Sequence, residues 1–215
     1  MQVTVRMETI ADCHPIKMNR SLALHTASHG PLYGHLVFNA DARALVLLIR
    51  SHLTAVDTPT AEKLADQGYA VFAMDLLTTQ ESQFPDATQN VPKLTQRLIE
   101  VLDFARRDPD LEMMPVGIFS TGDTSPAAIR AAAQRDTQIK ALACHGGMID
   151  RAGKQSLEFL QAPVLVLSDP EDTLSSASYE HASPYLHVPH ELRSLYPAEG
   201  PVTQVAAWFS MHLHG

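Results

Sequence analysis

A chain of 215 residues, 45% hydrophobic and 19% charged, has enough apolar material to build a core without a metal or disulfide staple. Its 24 acidic residues outnumber 16 basic ones, and the resulting net charge of −8 argues against a nucleic-acid or anionic-membrane partner. The longest apolar run, residues 44–49, falls far short of the ~20 residues of a membrane helix. The first residues lack the apolar block of a signal peptide, and Cys13 and Cys144 sit in no motif. The expectation is a cytoplasmic protein with reduced thiols, one domain over residues 1–215.

Residues 3–7, 22–25 and 33–38 alternate apolar and polar positions with no helical segment between them, and predict an antiparallel β lead-in at a sheet edge. Residues 44–49 are nearly continuous Val, Leu and Ile, as in a strand buried on both faces. A helix over 60–67 follows, opened by Pro59 and closed by Gly68. A second buried strand covers 69–74. The helix over 90–107 carries Leu94, Leu98, Val101, Leu102 and Ala105 on one stripe, with Pro92 in its first turn and Pro109 past its end. Strand 116–119, the Ala-rich helix 125–134, strand 139–144 and strand 164–167 come next. The last strand is either 185–189 or 191–196; Pro184 and Pro189 disfavour the first. A final helix over 202–212 presents Val205, Ala206, Trp208 and Phe209. Repeated strand–helix alternation predicts an α/β fold, a mostly parallel twisted sheet with helices on both faces.

Ligands of such sheets bind beyond the carboxyl ends of the strands. There the segment Val116-Gly117-Ile118-Phe119-Ser120-Thr121-Gly122-Asp123-Thr124 turns from strand into helix. With Asp75-Leu76-Leu77, Cys144-His145-Gly146-Gly147, Ala162-Pro163-Val164 and Ala207-Trp208-Phe209, it resembles the α/β-hydrolases of the dienelactone-hydrolase type over roughly residues 30–213. That resemblance implies an ester, lactone or thioester hydrolase with a Ser–His–Asp triad. Its G-x-S-x-G elbow, laid down without gaps, falls on residues 120–124 and puts Gly122 in the nucleophile position. Ser120 becomes the nucleophile only if the elbow is shortened, and Asp123 is one position out of register. The plainer reading is that Gly122 relieves a tight turn while Ser120, Thr121 or Asp123 caps the next helix.

The family's triad acid corresponds to Asp172, with Asp169 and Glu171 as alternatives. Counting back 18 positions from Trp208, a family-like spacing, gives His190 as the base, whereas taking 191–196 as the last strand leaves the following loop without a histidine. Where relatives carry His-Gly in the oxyanion loop, this chain has Arg50-Ser51-His52-Leu53. Arg50 holds a ligand carboxylate or a neighbouring Asp. His145 lines the site, and Cys144 and His145, as adjacent strand residues, point to opposite faces. The expected site therefore has Ser120, Asp172 and His190 as catalytic candidates. Arg50, His52, Thr121, Gly122, Asp123 and His145, with Asp75, are the ligand-binding candidates. His181, His187, His190, His212 and His214 match no zinc spacing, so neither a metal nor a cofactor is expected. Two functions stand open: a scaffold whose elbow and oxyanion loop have decayed and which binds a small polar ligand, or an active serine hydrolase using Ser120, His190 and Asp172. A homodimer through an exposed edge strand is a further expectation.

Overall fold

The computed structural model describes residues 17–26, 29–51, 57–196 and 200–213. Within them a single sheet of eight strands runs in the order β1-β2-β4-β3-β5-β6-β7-β8. The lead-in is a long hairpin, β1 (Lys17–Thr26) and β2 (His29–Asn39), paired antiparallel from Lys17 opposite Asn39 to Leu24 opposite Leu32. The expected strand over residues 3–7 lies outside the described residues. β2 also pairs antiparallel with β4 (Tyr69–Asp75), and from there every pairing is parallel: β4 with β3 (Ala44–Arg50), then β5 (Val116–Thr121), β6 (Ile139–His145), β7 (Val164–Ser168) and β8 (His190–Ser194).

The central strands β3 and β4 are apolar up to their last residue because both faces are covered, whereas the edge strand β8 (HELRS) is polar. Leu45, Leu47 and Ile49 of β3 face α2 (Val91–Ala105) and α3 (Ser125–Gln134), whose Leu94, Leu98, Ala127 and Ala128 complete that layer. Val46 and Leu48 face the other way, onto α1 (Asp57–Ala65) and α6 (Pro201–His212) with Leu64, Val205, Trp208 and Phe209. Each such side chain contributes roughly 1.5–3 kcal/mol by leaving water. Small residues let α3 lie close: Ala127, Ala128, Ala131 and Ala132 are fully buried. At its other end, β5 approaches so near to α6 that a Cβ on Gly117 would lie 3.0 Å from Phe209 and Leu213.

Two helices were not expected from the hydrophobic period, α4 (Lys154–Phe159) and α5 (Thr173–Ala182). The last strand is β8, so the reading with 191–196 is the one followed, and residues 185–189 form no strand. Among the described residues no helix is long and apolar enough to cross a membrane.

Candidate active site

The carboxyl ends of β3 to β8 bring Arg50, Asp75, Thr121, His145, Ser168 and Ser194 to one edge of the sheet. Strand parity then decides what each side chain meets. Ser120 shares the parity of Ile118, so it points into the helical layer below the edge. It is fully buried, and its hydroxyl donates to Ser125 Oγ at 3.3 Å and approaches Cys144 Sγ at 3.4 Å. Ser125 passes the bond on to the Gly146 carbonyl at 3.0 Å. This is a packed hydroxyl chain in a dry layer. Cys144, wholly buried beside it, has its thiol pushed up to about 11 by desolvation, the reverse of an activated sulfur.

After Thr121 the chain turns through one 3-10 turn, Gly122–Thr124, directly into α3. Gly122 has φ +54°, the left-handed region that glycine enters without penalty, and a Cβ on it would meet no described residue within 4 Å. The Thr124 hydroxyl ties the turn together: it donates to Thr121 O at 2.8 Å and accepts from the Thr121 amide at 3.3 Å. The hydroxyl in these bonds is that of Thr124, which also stands at the N-cap of α3, rather than a side chain of Ser120, Thr121 or Asp123, while Asp123 is held from across the crevice by the Thr88 hydroxyl at 2.6 Å. Gly147, φ +90°, closes the turn from β6: a Cβ there would sit 2.0 Å from the Gly122 carbonyl oxygen.

Asp172 stands at the same edge, past the end of β7, and N-caps α5. Its carboxylate accepts the Ser175 amide at 3.0 Å and the Ser175 hydroxyl. Those bonds hold it below the ordinary carboxylate range, with the neighbouring His145 a minor cause. His145 Nε2 lies 3.4 Å from Asp169, so the alternative acid at 169 is the one engaged with an imidazole. Two further contacts tie loops across this edge: Arg151 donates to Gln89 Oε1 at 2.7 Å, and Ser178 donates to Asp150 at 2.6 Å. Neither pair had a motif to announce it.

His190 does not belong to this group. It opens β8 opposite Val164, at the amino end of β7, whereas Ser120 lies in the row of Cys144, Val166 and Leu192. Three strand spacings and two residue steps separate His190 from Ser120, about 14 Å across the sheet and about 7 Å along it. Its Nδ1 is 2.7 Å from the Tyr179 hydroxyl, a bond that seats α5 against β8. Ser120, Asp172 and His190 are therefore not brought together. The ligand-binding role expected of Arg50 also yields to its surroundings: Nε meets Asp57 Oδ1 at 2.7 Å, the group stacks 5.0 Å above Phe119, and burial lowers its pKa despite that partner. The neighbouring aspartate, not a ligand, satisfies it. His52 lies outside the described residues. Among the described residues no cluster of three His, Cys, Asp or Glu side chains is placed to hold a metal ion.

The architecture matches that of dienelactone hydrolase from Anabaena variabilis with a TM-score of 0.81 and 26% identity, over 92% of this chain and 99% of that one. The chain has the α/β-hydrolase fold. An acetyl xylan esterase from Paenibacillus sp. R4 shares that fold alone, with a TM-score of 0.67, 12% identity, 96% of this chain and 85% of the esterase. In sequence, the chain is 29% identical over 199 residues to a Mycobacterium tuberculosis protein described only provisionally as a phosphoribosyl transferase. The match takes in 86% of this chain but 45% of the relative, so the dienelactone-hydrolase-like chain spans less than half the length of that protein. No family model matches the sequence.

Proposed function

We propose that this dienelactone-hydrolase-like chain is a binding scaffold with little or no hydrolytic activity, and that it takes a small polar ligand at the carboxyl edge of its sheet. The observation that carries this reading is Gly122: a left-handed elbow with no side chain to attack anything. The nearest hydroxyl in sequence with family standing, that of Ser120, is buried in the layer beneath and bonded to Ser125. Among the described residues no imidazole is positioned to take its proton, and acyl transfer by serine needs that partner within hydrogen-bond reach. Thr121, Gly122, Asp123 and His145 would line the ligand, with Asp172 and Asp169 setting the charge beside it.

Purified protein incubated with a fluorophosphonate probe is expected to remain unlabelled, and short-chain nitrophenyl esters should turn over no faster than in buffer. The competing reading, an active hydrolase using Ser120, Asp172 and His190, draws on the likeness to dienelactone hydrolase and to an acetyl xylan esterase. Labelling or turnover that disappears in Ser120→Ala would establish it and overturn the scaffold reading.

A further inference from the structure

At the amino ends of β5 and β6, the end of the sheet opposite to the Gly122 edge, a cavity of about 340 Å³ opens between residues 106–116 and residues 137–140. The volume lies within the ~300–1,000 Å³ of small-molecule sites. Arg106, just past α2, and Lys140 of β6 bring two cations to it, and Glu112 brings one carboxylate. None of these three side chains has a hydrogen bond or ion pair with another described residue, so opposite charges line one cavity without pairing. Gln138 lines it too. Its Nε2 donates to the Leu102 carbonyl at 3.1 Å, which fixes the amide and leaves Oε1 buried without a partner among the described residues. The remaining lining is apolar. Leu111 is buried, whereas Met113 is 88% exposed, an unbranched, flexible side chain that leaves apolar surface in water.

We infer that this cavity binds a free α-amino acid with an apolar side chain. Arg106 takes the carboxylate, which its planar fork matches, and Lys140 adds a second charge. The ammonium, three donors and no acceptor, supplies what Glu112 and the Gln138 Oε1 lack. The side chain of the amino acid covers Leu111 and is closed over by Met113. A carboxylate alone would leave both acceptors unanswered, and an amine alone would leave both cations unanswered. Only a zwitterion with an apolar body meets all three parts of the lining.

Calorimetric titration of the full chain with leucine, glycine, 4-methylpentanoate and 3-methylbutylamine tests the inference, because the last three each lack one part of leucine. Leucine should bind saturably, and about tenfold or more tightly than each of the others. The double variant R106Q/K140Q should weaken leucine by about tenfold or more. Glu112→Gln should erase the preference for leucine over 4-methylpentanoate, a change that a loss of folded protein does not produce. All three positions are exposed, and circular dichroism verifies that the variants fold. Absence of saturable leucine binding, equal affinity of the native chain for leucine and 4-methylpentanoate, or a preference that survives Glu112→Gln would each overturn the assignment. So would an unchanged affinity in R106Q/K140Q, which would put leucine elsewhere, the Gly122 edge included.

Discussion

At Gly147 one added carbon would lie 2.0 Å from the Gly122 carbonyl oxygen, and at Gly122 it would meet no described residue within 4 Å. Both glycines hold positive φ, so both substitutions carry backbone strain, but only one also has to displace backbone. Gly147→Ala should cost about 2–4 kcal/mol and Gly122→Ala only about 1 kcal/mol, compared by urea midpoints at constant m-value. A reversal of that order would mean that the ends of β5 and β6 do not meet as described. The same pair shows what residue-level reading can and cannot reach. Glycine at 122 is visible in the register of the elbow. The demand for glycine at 147 comes from a carbonyl supplied 25 residues earlier in the chain, and no local pattern announces it.

The loop between β4 and α2 is anchored by an ion pair. Arg97 is only 2% exposed, donates to the Leu76 carbonyl at 2.6 Å and grips Glu81 at 2.6 and 2.8 Å, while Lys93 and Thr78 add further donors. These bonds, Arg97 first, hold the Glu81 carboxyl far below the ordinary glutamate range. A depressed folded-state pKa gives stability that is present above the unfolded-state value of ~4.3 and lost as pH falls through the folded one. Glu81→Gln, which strands a buried guanidinium, should cost about 3–5 kcal/mol near neutrality. The gap between variant and native protein should shrink steadily as the solution is acidified below pH ~4. A gap that is constant with pH, measured by urea unfolding, would rule out the ionised pair as the anchor. Helix α2 itself was legible from Leu94, Leu98, Val101 and Leu102. Arg97 shares that apolar face, and a charge there is the signal of a buried partner. Helix α5 was not legible, because it buries Ser175, Ser178 and Ala182, small side chains that leave no hydrophobic period to read. His190 misled for a related reason: a spacing counted from α6 carries no information on which end of β8 it reaches.

For the molecule as a whole, the continuous parallel runs announced a sheet covered on both faces, and that sheet is one ladder from β1 to β8. Its two apolar layers share every central strand, so neither can be exposed without unpairing the other. Thermal unfolding should therefore be a single transition, with far- and near-ultraviolet dichroism changing together. Separate midpoints would show that the β1–β2 hairpin or the α6 side melts by itself. What the composition left unreadable was the site, because chemistry at a sheet edge depends on which loops converge there rather than on hydrophobic pattern. The bare elbow carries a practical corollary. A turn already in left-handed geometry is a socket, and socket construction is the costly part of building an esterase. Enzyme engineers starting from this chain would graft an alcohol at position 122 and an imidazole facing it, and would rebuild the Arg50-Ser51-His52-Leu53 segment as an oxyanion loop, leaving the sheet and its helices untouched.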